Sequence, residues 1–67
     1  SKSGIPDIIG VVNGRFIALE VKAENGRASE LQKRNIRLID QCGGYSRIVY
    51  PKDFEKLKTE LLEICKS

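Results

Sequence analysis

Two carboxylates and a lysine are the residues of this 67-residue chain best placed to do chemistry. Asn13 and Gly14 lie between two apolar segments, and Asn-Gly in that setting is typical of a two-residue type I′ hairpin turn. This turn sets the register, so that Asp7 pairs with Glu20 on one face of the sheet, with Cβ atoms roughly 4.5–5.5 Å apart. Lys22 lies two residues beyond Glu20 and therefore shares that face.

Two carboxylates that face each other repel unless something neutralises them, and a divalent cation with hard oxygen ligands does so. We therefore expect Asp7 and Glu20 to hold one or two Mg²⁺ or Mn²⁺ ions, with the Val21 carbonyl oxygen as a further ligand. Such a metal polarises a phosphate oxygen and lowers the pKa of a bound water. Lys22 is then placed to orient that water or to stabilise charge in the transition state. The alternative interpretation is a surface charge triad at the end of a sheet.

Other common catalytic chemistries are excluded by composition. The chain has no histidine and two cysteines. Ser-His and Cys-His nucleophilic catalysis therefore cannot operate, and two cysteines without histidine do not make an ordinary zinc site. Cys42 and Cys65 each end an apolar helical face, so we expect them to be buried free thiols.

Polar residues that follow the hairpin are candidates for supporting roles. Gln32 falls in the first turn of the next helix, within reach of the site, although the pattern Ser29-x-x-Gln32 also fits a capping box that helix physics alone explains. A basic group is expected to contact the phosphate backbone of nucleic acid, the alternative being a solvated helix face. Its members are Arg27, Lys33, Arg34 and Arg37.

The elements that must position these residues follow from periodicity and turn signals. Both faces of the hairpin are apolar, so we predict an α/β, or mixed α+β, fold in which the hairpin is central and helices cover both faces of a small mixed sheet. The order is hairpin, helix, strand, helix. The predicted bounds are strands at Ile5–Val12, Arg15–Lys22 and Tyr45–Tyr50, and helices at Ser29–Cys42, with the apolar stripe Leu31, Asn35, Leu38, Ile39 and Cys42, and at Phe54–Cys65, with Asp53 as N-cap.

Composition bounds the remaining possibilities. Residues 1–67 suffice for one small domain, and the formal net charge of +3 is compatible with a nucleic-acid partner. No apolar run approaches membrane-spanning length, so we expect no membrane association. The polar residues Ser1–Ser3 indicate no signal peptide. A sheet with two apolar faces in so short a chain leaves apolar surface uncovered, which predicts a homodimer.

The motifs together resemble a known group of nucleases. Gly4-Ile5-Pro6-Asp7, then Glu20-Val21-Lys22 after a hairpin, then Gln32 on the next helix, is similar to the PD-(D/E)xK nuclease superfamily. Within it, the Gly-x-Pro-Asp form and the segment Ser-Glu-Leu-Gln-Lys at 29–33 resemble the VRR-NUC group, the virus-type replication-repair nucleases. The resemblance covers the chain from Gly4 to about Leu61.

This resemblance implies a restriction-endonuclease-like core that hydrolyses DNA phosphodiesters with Mg²⁺ or Mn²⁺. It implies metal binding at Asp7 and Glu20, catalysis by Lys22 and a supporting role for Gln32. Branched DNA, such as Holliday junctions or flaps, is the expected substrate, in replication or repair. The expected location is the cytoplasm of a bacterial or phage-infected cell, or the nucleus for a eukaryotic repair enzyme.

One departure from the superfamily pattern keeps an alternative open. Members usually begin with a helix that carries another acidic residue, whereas this chain starts almost at the Pro-Asp strand. A non-catalytic DNA-binding or assembly module that retains the nuclease fold is therefore the competing hypothesis. A domain that binds a structural cation is a weaker one.

Overall fold

The computed structural model describes residues 4–67, so the polar lead-in Ser1–Ser3 lies outside the described range. The order of elements is strand, strand, helix, strand, helix, as the periodicity predicts. The strands are β1 (Ile8–Val12), β2 (Arg15–Val21) and β3 (Tyr45–Val49). The helices are α1 (Glu30–Gln41) and α2 (Phe54–Lys66), and a 3₁₀ turn at Pro51–Asp53 leads into α2.

The Asn-Gly turn and the hairpin register are confirmed. Asn13 has φ 50° and Gly14 has φ 78°, the two positive values that a type I′ turn requires. β1 and β2 pair antiparallel from Val12 with Arg15 to Ile8 with Leu19. Continued by one residue, this register places Asp7 opposite Glu20.

The sheet is small and mixed, with strand order β1-β2-β3. β2 and β3 are parallel, and α1 is the crossover between them, as a parallel connection requires. The prediction that the hairpin lies at the centre of the sheet is wrong for the described residues, because only β2 is central and β1 is an edge strand.

Each helix covers one face of the sheet. The main core lies on the α2 face, where Ile17, Leu19, Tyr45 and Val49 are buried against the partly buried Val12, Leu57, Leu61 and Ile64. On the other face, the Ser46 hydroxyl donates a hydrogen bond to the carbonyl oxygen of Ile36 in α1. Glu20 and Ser46 alternate with these core residues along their strands, so they belong to the α1 face.

The prediction that the hairpin is buried on both faces is wrong for β1. Ile8, Ile9 and Val11 are all exposed. For Ile9 and Val11 the reason is the position of the crossover helix, since α1 packs on β2 and β3. Ile8 pairs with Leu19 and so lies on the opposite face, where Val12 is the residue of β1 that packs on the core.

The helix faces also differ in part from the predicted stripes. In α1 the buried residues are Gln32 and Ile36, whereas Leu31 and Leu38 are exposed. Cys42 and Cys65 are exposed as well, so the prediction of buried thiols is wrong. The face of α1 that packs on the sheet is therefore shifted by about one residue from the predicted apolar stripe. The reason is that Glu20, a polar side chain of the sheet, faces this helix.

Candidate active site

Glu20 is a buried carboxylate at the end of the central strand. Its residue exposure is 1%, and two polar groups contact its Oε2 atom. Gln32 Nε2 donates a hydrogen bond to this oxygen at 3.1 Å, and Lys22 Nζ lies 3.5 Å from it. A buried charge is expensive unless it is paired and hydrogen-bonded, so these contacts are what permits a carboxylate here.

Gln32 holds Glu20 and caps helix α1 with the same amide group. Its Oε1 accepts a hydrogen bond from the Ser29 backbone N–H at 2.8 Å, while the Ser29 hydroxyl accepts one from the Gln32 backbone at 3.1 Å. Because the oxygen faces a donor, the amide nitrogen must face Glu20. The capping role and the supporting role are therefore compatible.

Asp7 lies just before β1 and is tied to the end of β2. Its Oδ2 accepts a hydrogen bond from the Val21 backbone N–H at 3.0 Å. This hydrogen bond is the main cause that lowers the pKa of Asp7. Partial desolvation opposes it, and a side-chain contact with Glu20 lowers the pKa further. Asp7 is therefore held as an anion beside the second carboxylate.

Pro6 explains why the backbone hydrogen bonding between β1 and β2 stops where the candidate site begins. In the observed register, residue 6 would form the next hydrogen-bonded pair with Val21. Proline has no N–H, so it cannot donate to the Val21 carbonyl oxygen, and the Asp7 side chain takes the Val21 N–H. The Val21 carbonyl oxygen points to the Asp7 side of β2, because the next backbone N–H, that of Lys22, bonds to Val49 of β3 at 2.8 Å.

The segment before Asp7 is anchored to helix α1 through Gly4. The Asn35 side-chain amide donates a hydrogen bond to the Gly4 carbonyl oxygen at 3.1 Å. Gly4 is buried and has φ 70°. A Cβ atom there would lie 2.7 Å from Asn35 Nδ2 and 2.8 Å from Leu31 Cγ. Asn35 is a residue that sequence reasoning missed as a site element, although a polar residue within an otherwise apolar stripe was the available signal.

Comparison with models of known protein families shows which family this chain belongs to. The family model of the VRR-NUC domain matches residues 1–53 of the 67. The chain belongs to the VRR-NUC family. Searches of curated proteins and of solved structures give no match. Family membership implies a nuclease-type function with DNA as substrate, on a small α+β fold with a three-stranded mixed sheet and two helices.

The donor set of this VRR-NUC domain fits a hard divalent cation. Asp7 and Glu20 supply carboxylate oxygens close to each other, and the Val21 carbonyl oxygen lies on the same side. Within residues 4–67, no three or more Asp, Glu, His or Cys side chains lie close enough together to bind one metal ion. Mg²⁺ commonly binds through one or two carboxylates and keeps several waters, so two acids suffice for it.

The predicted basic residues lie in two places, on α1 and in a cleft at the end of the sheet. On α1, Lys33 pairs with Glu30 at 3.2 Å, while Arg34 and Arg37 are exposed and make no ion pair within the part of the chain that is described. Arg27 instead lines a cleft of about 590 Å³ with Lys52. No helix in residues 4–67 is long and apolar enough to cross a membrane.

Proposed function

We propose that this VRR-NUC domain is a Mg²⁺- or Mn²⁺-dependent endonuclease with a PD-(D/E)xK-type core. The observation that carries the proposal is the convergence of three charged groups at the end of β2. Asp7 is anchored to Val21, and Glu20 is buried between Gln32 and Lys22. A surface charge triad has no reason to bury one carboxylate and fix the other.

Each residue has a role that follows from its contacts. Asp7, Glu20 and the Val21 carbonyl oxygen hold the metal, which when bound polarises the phosphate and activates a water. Gln32 keeps Glu20 oriented by its hydrogen bond. Lys22 presents its ammonium group beside Glu20, where it orients the attacking water and offsets negative charge on the phosphate.

The DNA backbone beyond the cut bond meets the basic residues. Arg27, Lys33, Arg34 and Arg37 contact phosphates on the side of α1 and its preceding loop. Branched DNA in replication or repair is the proposed substrate, and the protein acts where such DNA is found, in the cytoplasm or the nucleus.

The domain is further proposed to work as a homodimer. Support comes from exposed apolar side chains on the α1 face near β1, namely Ile9, Val11, Phe16 and Leu38. Light scattering should give about twice the mass of one 7.5 kDa chain, and a mass of one chain at high protein concentration would contradict the dimer.

A cleavage assay with Mn²⁺ tests the proposal on labelled single-stranded, duplex, flap and four-way-junction DNA. We expect cleavage that disappears with EDTA and with Lys22→Ala. Lys58→Ala, an exposed lysine on α2, is the matched control and should cleave like the parent. DNA binding without cleavage on any substrate would favour the competing hypothesis of a non-catalytic DNA-binding module.

A further inference from the structure

A second feature opens at the same edge of the sheet as the candidate active site. β2 and β3 are parallel and end together, and the two segments that follow them, residues 24–27 and 50–52, enclose the cleft of about 590 Å³. Gly26 packs on Lys22 of the candidate active site, since a Cβ atom at residue 26 would lie 3.4 Å from Lys22 Cβ. The cleft and the site therefore share a wall.

The aromatic ring in this cleft is held in place from both ends. The Tyr50 hydroxyl donates a hydrogen bond to the Gly26 carbonyl oxygen at 3.0 Å. Its backbone N–H donates to Asp53 Oδ2 at 2.9 Å. Tyr50 is half-buried and lines the cleft. A ring that is already fixed loses little conformational entropy when something stacks on it.

Two cations line the cleft together with Tyr50. Arg27 and Lys52 are exposed and line the cleft, and Lys52 Nζ lies 6.0 Å from the centroid of the Tyr50 ring. Glu24 is the acid among the lining residues. A fixed aromatic ring in a cleft that two cations line matches the stacking and phosphate contacts by which proteins hold single-stranded nucleic acid. The cleft is also within the range of about 300–1,000 Å³ typical of ligand sites.

We infer that this cleft is a subsite for one unpaired nucleotide next to the scissile phosphate. The base stacks on Tyr50, and Arg27 and Lys52 contact the adjoining phosphates. This rests on the proposed function and adds a requirement to it: a base that is paired within a duplex cannot enter such a cleft without leaving its stack. DNA with an unpaired nucleotide at the cut position is therefore the preferred substrate.

The first test needs no protein variant and no metal. Fluorescence anisotropy in EDTA measures binding of the 67-residue chain to short labelled single strands in which one base at a time is removed. We expect one position at which base removal weakens binding about 5- to 150-fold, the range of a stacked base. A series in which no position matters overturns the subsite.

Variants then connect that position with the cleft. Tyr50→Leu should weaken binding about as much as base removal, with no further loss on the abasic strand, because both changes remove the same stack. Tyr50→Phe keeps the ring and should retain the stacking. Equal binding by parent and Tyr50→Leu, or additive losses in the combination, would overturn the assignment.

The phosphate contacts have their own measurement. Lys52→Gln should reduce by about 0.7 the slope of the logarithm of the binding constant against the logarithm of the salt concentration. The reason is that one fewer phosphate of the single strand is neutralised, so fewer counterions are released. Lys58→Gln on α2 is the matched control and should leave the slope unchanged. An unchanged slope for Lys52→Gln overturns the phosphate role.

The two proposals fail in different ways. Cleavage with a flat abasic series means that the nuclease stands and the subsite falls. A position-specific abasic effect without cleavage in Mn²⁺ means that the cleft binds a nucleotide and the nuclease proposal falls.

Discussion

Gly4 controls the position of Asp7, so Gly4→Ala should impair the site more than the fold. At φ 70° an L-residue costs about 1–2 kcal/mol. The added Cβ atom would also lie 2.7 Å from Asn35 Nδ2 and 2.8 Å from Leu31 Cγ. Asn35 Nδ2 is the end of its side chain and moves away, so the Asn35 hydrogen bond to Gly4 is lost, at about 1 kcal/mol. Leu31 Cγ is the branch point of its side chain, so the whole Leu31 side chain must shift.

The total of about 2–3 kcal/mol from these two contributions acts on a short segment outside the strands. Releasing residues 4–7 from α1 is the cheaper response, because the core on the α2 face does not depend on them. Asp7 then leaves the Val21 N–H. We expect an affinity for Mn²⁺ that is about 10- to 100-fold weaker, as for lost outer supports of a metal site, with a small change in the free energy of unfolding.

Mn²⁺ titration followed by calorimetry, beside urea denaturation of the same samples, measures both quantities. Gly10→Ala is the matched control, because Gly10 has no positive φ and a Cβ atom there meets nothing within 4 Å. Asn35→Ala should reproduce the weaker metal binding. Parent-like Mn²⁺ affinity for Gly4→Ala, or an equal loss for Gly10→Ala, would refute this reasoning.

Three further predictions concern buried and ionisable groups. Gln32→Leu should lower the free energy of unfolding by about 1–3 kcal/mol, because it removes the side-chain half of the capping box and a partner of the buried Glu20. Urea denaturation measures this change, and an unchanged free energy of unfolding would contradict the contacts described. The pKa of Asp7 is lowered, so the ionised carboxylate stabilises the fold at pH values above the pKa that Asp7 has in the unfolded chain. This stabilisation is lost as the pH falls through the lower pKa of the folded state. Acid denaturation of Asp7→Asn should lack this component. Burial raises the pKa of Tyr45 to about 12. The stabilisation that the neutral Tyr45 side chain contributes is therefore complete below about pH 10 and is lost as the pH rises toward 12. Tyr45→Phe should remove that alkaline transition, which tyrosinate absorbance follows in the parent.

Local rules account for what sequence reasoning predicted correctly. The Asn13-Gly14 turn needs only the backbone preferences of two residues, and its register then determines that Asp7 faces Glu20. The Ser29 cap is likewise a property of four consecutive residues.

Tertiary contacts account for what it missed. The rotation of α1 arises because Gln32 turns inward to meet a buried carboxylate, a preference that no hydropathy pattern contains. The exposure of Ile9 and Val11 follows from where the crossover helix lies. The contact of Asn35 with Gly4 joins residues 31 positions apart, beyond the reach of any spacing rule.

The double use of the Gln32 amide links the start of α1 to the electrostatics of the proposed active site. If the first turn of α1 frays, the Ser29 N–H and the Glu20 carboxylate lose their shared partner at the same moment. Order at the helix terminus and charge at the site are then thermodynamically coupled, so a cation that binds Glu20 in its held orientation must also slow hydrogen exchange at the Ser29 amide. The proposed active site is therefore assembled only in molecules whose crossover helix has begun at the correct residue.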